Sequence, residues 1–226
     1  MDNGRIETKY LVKDVSFIKE VLDANFTPDK LYPFNYVFTL HFDTCLLDSY
    51  FDKLSGFLYK NKIRVRWYSD TDRLFIPGDV YLENKTKRIN RCFKYRLRTD
   101  LPEELRSEIF VSPRWDGIML KNAAGLRSRL GRHLFPAMIS SYRRRRFHDP
   151  FSGSDISLDD DIRIHMVNPA MARDHNIHPP LGEGVLEVKG QSPSLPPCLE
   201  NLDILSMSAF SKYEALLTNY TGGRNE

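Results

Sequence analysis

"KIRVRWY" occupies residues 62–68, and its alternation is the first clue to the fold. Lys62, Arg64 and Arg66 fall on one face of an extended chain, and Ile63, Val65 and Trp67 on the other. Such a strand can lie half-exposed with a solvated basic face. It can also turn that face toward an enclosed polar space. The alternation alone does not separate the two, so the question passes to the neighbouring strands.

Those strands repeat the pattern. "VYLENKTK" places Glu83, Lys85 and Lys87 together, opposite Leu82 and Thr86. "FKYRLR" sets Lys94, Arg96 and Arg98 against Phe93, Tyr95 and Leu97. In "SYRRRRF", Tyr142, Arg144 and Arg146 alternate with Arg143, Arg145 and Phe147. "VLEVK" sets Glu187 and Lys189 against Leu186 and Val188. An open sheet with one charged face accounts for each strand separately. A closed barrel accounts for them as a set, with the charged faces lining a polar bore that holds a multiply charged anion. Glutamates among the cations then suit a divalent cation arriving with a polyphosphate.

Strands are predicted near residue 10 and over 35–44, 57–69, 79–88, 91–99, 137–147, 154–165 and 184–190. A helix is predicted over 14–25, with Asp14 as its N-cap and Val15, Ile18 and Leu22 inward. Residues 102–134 carry helical spacing, with Ile118, Met119, Leu126 and Leu130 as an inward stripe. A closing helix is expected over 205–220, and 168–184 and 191–197 read as loops. Together these predict one α+β domain over 1–226, about eight strands with flanking helices.

Composition narrows the partners. The 226 residues are 41% hydrophobic and 28% charged, which suits a globular core. Thirty-three basic residues nearly balance 30 acidic ones, a net charge of +3, so nucleic acid is not the expected partner. Any strong positive field must come from local arrangement. Cys45, Cys92 and Cys198 lack zinc-type spacing and read as free thiols of a reducing compartment. No signal peptide or membrane-length apolar run is read, so a cytoplasmic protein is expected unless a partner brings it to a membrane. His175 and His178 read as ordinary surface histidines of a Pro-rich loop rather than metal ligands, and "GLRSRLG" (125–131) lacks a nucleotide-binding fingerprint. "SLDDDI" lacks the glycine and distal glutamate of a calcium loop.

"RIETKY", "TLHFDT", "KIRVRWY", "VYLENKTK", "SYRRRRF", "ISLDDDI", "VLEVKG" and "SKY" follow one another in an order that resembles the VTC domain. That domain belongs to the CYTH-like triphosphate tunnel metalloenzyme superfamily. The resemblance implies an antiparallel eight-stranded β-tunnel with flanking helices. It implies a polyphosphate polymerase that draws the γ-phosphoryl group from ATP with Mn²⁺ or Mg²⁺. A triphosphatase and a non-catalytic polyphosphate sensor remain alternatives on the same bore. Arg64, Arg66, Lys85, Lys94 and Arg144 are the catalytic cations it implies, with Lys9, Lys87, Arg96, Lys189 and Lys212 as further substrate contacts. Glu187 matches the metal-holding carboxylate, and Glu7 and Glu83 sit at other acidic tunnel positions. Asp155 stands where an arginine is usual, so Arg146 or Arg163 is expected to replace that contact, and Lys87 stands where eukaryotic relatives have histidine.

Overall fold

A computed structural model describes residues 4–121, 133–171, 179–191 and 193–221. The main strands are β1 (Arg5–Val12), β3 (Phe34–Asp43), β4 (Tyr59–Ser69), β5 (Asp79–Arg88), β6 (Arg91–Asp100), β7 (Phe135–His148), β8 (Asp155–Val167) and β9 (Gly184–Gly190). Two short strands, β2 (Thr27–Pro28) and β10 (Leu205–Met207), lie beside β7 and β1. The helices are α1 (Val15–Asn25), α2 (Asp48–Leu54), α3 (Glu103–Ser107), α4 (Arg114–Lys121) and, as α5, Lys212–Tyr220.

The sheet runs β1-β6-β5-β4-β3-β7-β8-β9, and β9 pairs with β1 to close it. Every pairing is antiparallel. The closing seam runs from Ile6↔Gly190 to Val12↔Gly184 and sets Glu7 opposite Lys189 and Lys9 opposite Glu187. The fold is therefore α+β, a closed eight-stranded antiparallel tunnel, with two extra strands and five α-helices among the described residues.

Closure turns the alternation into an inside and an outside. Phe38, Leu40, Val65, Trp67 and Leu82 point outward and pack with Leu105, Ile109 and Trp115 around α3 and α4. Ile18 and Leu22 of α1 pack on Tyr10, Ile156, Leu158, Leu186 and Val188. Gly184 makes the α1 contact possible, because a Cβ there would stand 2.6 Å from Cγ2 of Val15. Asp14 caps α1 as the sequence predicts, its side chain accepting from Phe17 N at 2.9 Å. Leu11 and Val185 share the inner face of Lys9 and Glu187. They join Tyr213, Leu216 and Leu217 of α5 in one apolar cluster, so α5 seals one end of the bore.

Three expectations change. The helix predicted over 205–220 begins at Lys212, because Ser211 caps it by accepting from Glu214 N and residues 205–207 pair with β1 instead. The helical stretch after residue 102 is broken into α3 and α4, with Pro113 restricting the residue before it. Leu126 and Leu130 of the expected stripe, "GLRSRLG", His175 and His178 lie outside the described residues. The apolar face that carries Phe93 predicts burial against a helix, but Phe93 is half-buried at the rim beside Gly4.

Leu82 lies fully buried between the barrel and α3, so its truncation leaves a cavity. Leu82→Ala should lower unfolding stability by about 2–5 kcal/mol. Urea unfolding of the two proteins, followed by tryptophan fluorescence, reads this directly.

Candidate functional site

The inner faces enclose a cavity of about 390 Å³. Its lysines and arginines far outnumber its carboxylates Glu7, Asp29, Asp155 and Glu187. Arg64, Arg66, Lys85, Lys94, Arg144, Lys9, Lys87, Arg96, Arg146, Lys189 and Lys212 all line it, as do Glu7 and Glu187.

Two of the sequence-derived site residues sit elsewhere. Glu83 shares the inner face of Arg64 and Arg96 but is fully buried under the cations that cover it and does not itself line the cavity. Arg64 Nη2 reaches it at 2.8 Å, Lys94 Nζ at 2.5 Å, Arg96 Nε at 3.3 Å and Arg66 Nη1 at 3.7 Å. Four cations surround its two carboxylate oxygens. Arg163 is turned out of the bore. Between Ser141↔Arg163 and Arg143↔Asp160 the register slips, and Asp161 adopts φ 50°. This β-bulge reverses the alternation, so Ile164 takes the inner face opposite Ser140 and Arg163 pairs with Asp161. Arg146 is the arginine that lines the cavity near Asp155, held by Tyr32 O and Asn35 Oδ1 at 3.0 Å.

The bore also contains groups that the sequence reading passed over. Asp159, fully buried, takes a bidentate pair from Arg144 at 2.5 Å and Lys212 Nζ at 2.6 Å. Its register opposite Arg144 was the missing signal, hidden inside "LDDDI". Lys62 reaches Ser211 Oγ at 2.6 Å, and no carboxylate pairs with it among the described residues. Its place on the face of Arg64 and Arg66 was enough to nominate it. His41 bonds Ser140 Oγ through Nε2 at 2.9 Å and stacks on Tyr213, with centroids 5.0 Å apart. Tyr142 carries Arg144, Arg66 and Lys212 over its ring at 5.1, 5.9 and 4.6 Å.

Burial and charge shape titration throughout. At Glu7 burial opposes ionisation most strongly, yet Lys85 and Lys189 together bring the carboxyl down to about 2. Glu187 is likewise buried, yet Lys189, Lys9 and Lys212 hold it well below the ordinary carboxylate range. Lys189 Nζ lies 2.7 Å from it, Arg144 Nη2 3.3 Å and Lys9 Nζ 3.5 Å. Burial pulls the amines the other way, only partly offset by carboxylates: Lys9 and Lys189 to about 8, and Lys94 to about 7. Lys62 falls well below its usual value through burial and the neighbouring Lys9 and Lys85.

Among the described residues no three His, Cys, Asp or Glu side chains converge into a metal cage. Glu187 and Glu7, on adjacent strands of the closing seam, do face the cavity. That donor set fits a hard divalent ion that takes one or two carboxylates and completes its shell with water and phosphate oxygens.

The family model described as the VTC domain matches residues 4–218. No curated protein matches the chain. Among solved structures, a proposed adenylate cyclase from Vibrio parahaemolyticus is similar at 14% identity and TM-score 0.43, covering 82% of this chain and 75% of that one. A conserved hypothetical protein from Pyrococcus furiosus is similar at 10% identity and TM-score 0.40, covering 84% and 80%.

The buried amines give a signed prediction for the ligand-free protein. A lysine at about 7 or 8 when folded and near 10.5 when unfolded binds fewer protons folded between those values. Stability therefore rises with pH across that window. Thermal melting should shift upward from pH 7 to pH 8.5, and Lys94→Met should flatten the rise.

Proposed function

The chain belongs to the VTC domain family, and from that premise we propose that it is a polyphosphate polymerase transferring the γ-phosphoryl group of ATP to a growing chain inside the bore. The observation that supports this most is the stock of cations on the cavity wall, several of them held by carboxylates of the bore, as Lys85 is by Glu7 and Lys9 and Lys189 are by Glu187. A polyanion entering the bore exchanges with Glu187 and Glu7 for Lys189, Lys9 and Lys85.

Phosphoryl transfer needs alignment and charge stabilisation more than covalent work. Arg64, Arg66 and Arg144 present guanidinium forks that grip phosphate oxygens in two places. Their geometry is fixed from behind, by Glu83 under the first two and Asp159 under the third. Lys9, Lys85, Lys94, Lys189 and Lys212 add point charges around the phosphate chain. A divalent ion, Mn²⁺ or Mg²⁺, on Glu187 and Glu7 would supply charge neutralisation between neighbouring phosphates. The enclosing wall and α5 limit water at the reacting phosphorus, which favours a phosphate oxygen as attacker.

Incubation with ATP and Mn²⁺ or Mg²⁺ should yield chains that form a ladder on a gel. Free phosphate alone would mark a triphosphatase, and tight binding without turnover a sensor. Arg66→Ala and Arg144→Ala each remove a charge-assisted contact of about 1.5–3 kcal/mol, roughly ten- to a hundredfold in triphosphate affinity. Unchanged affinity and turnover in both would place the active site outside the bore.

Glu187→Gln separates metal holding from charge balancing. It should abolish metal-stimulated turnover while keeping or strengthening metal-free triphosphate binding, since a negative charge leaves the wall. A fall in melting temperature with the metal response intact would assign Glu187 to charge balance alone.

A further inference from the structure

One rim of the barrel, at the cavity mouth, carries an exposed apolar surface. The segment after α2 and the β5–β6 turn meet there. Ile89 N donates to Leu58 O at 2.9 Å, and Phe57 N donates to Asp52 O at 3.1 Å. Leu54, Phe57, Leu58, Tyr59 and Ile89 all face outward, with Leu58 67% and Ile89 70% exposed. Helix α2 buries none of its own residues. Ile89 takes φ 55°, a conformation β-branched residues resist, so the turn holds an apolar tip outward against its backbone preference.

Cations fringe this patch. Lys53, Lys60 and Lys87 stand on its inner side, where they also line the cavity. Arg88 is exposed at the turn, its guanidinium 5.7 Å from the Tyr59 ring and 5.6 Å from Phe93. Arg91 follows it across the turn. Helix α2 also carries Asp48 and Asp52, and Glu7 lines the cavity with Lys53, Lys60 and Lys87. Outward leucine, isoleucine and aromatic side chains ringed by lysine and arginine match the two layers of an anionic bilayer. The apolar groups meet the acyl boundary, and the long cations reach lipid phosphates. A second copy docked on the same patch would set these cations against each other.

We propose that this rim docks on an anionic lipid bilayer, with Phe57, Leu58 and Ile89 entering the headgroup–acyl boundary and Arg88 and its neighbouring cations on the lipid phosphates. Docking brings the Lys53, Lys60 and Lys87 side of the cavity to the membrane surface.

Sedimentation of the full chain with vesicles tests this. Partition onto phosphatidylcholine vesicles containing phosphatidylglycerol should exceed that onto phosphatidylcholine alone by about tenfold at low salt, and fall as salt rises. The Phe57→Ser/Leu58→Ser/Ile89→Ser variant should lose about tenfold of that partition, and Arg88→Gln a smaller part. Melting curves by circular dichroism, unchanged from the parent, establish that the variants fold. Equal partition onto both vesicle types would overturn the proposal, as would full partition by the folded triple variant. Self-association abolished by the triple substitution, without vesicle binding, would assign the patch to a second copy instead.

Discussion

Like charges gathered inside a closed barrel must be neutralised from within, and the rest of this structure follows from that constraint. An unpaired ammonium or guanidinium removed from water costs far more than a fold can supply, so buried cations need partners or lose their protons. The molecule does both. Glu83 and Asp159 lie on the inner face, fully buried under the arginines they neutralise. Glu7 and Glu187 face the cavity and neutralise Lys85 and Lys189 there. Lys62, left without a carboxylate among the described residues, is driven toward the neutral amine.

The two carboxylate layers divide the labour. A carboxylate gripped by four cations and closed from the cavity positions those cations before any substrate arrives. A carboxylate at the cavity surface is, under the proposed function, the one that phosphate displaces and that takes the metal ion. Arginine serves over the sealed layer because its fork bonds backward and still presents N–H groups forward. Outside, the helices do separate work. α1, α3 and α4 cover the apolar faces of the strands, and α5 seals an end of the bore.

Much of this was legible in the alternation of "KIRVRWY" and "VYLENKTK", because a period of two survives closure unchanged. The order of the motifs then selected a tunnel over an open sheet. What escaped the sequence were the places where local rules yield to register. Nothing in "LDDDIRI" announces that Asp161 forms a bulge, so Arg163, named with Arg146 as a replacement for the contact missing at Asp155, turns out of the bore. Depth escaped as well. Glu83 and Glu187 alternate identically with apolar neighbours, yet one lies sealed under arginines and the other faces the cavity. Residues 205–207 form an added strand rather than helix because β1 offers them a free edge.

The central claim is that a polyanion replaces internal carboxylates as the partner of partly deprotonated lysines. Calorimetric titration with tripolyphosphate at pH 8, in two buffers of different ionisation enthalpy, counts the protons exchanged on binding. With Lys9 and Lys189 at about 8 and Lys94 at about 7, phosphate should recharge these amines, and net proton uptake is predicted. Binding with no uptake, or with proton release, would contradict the account.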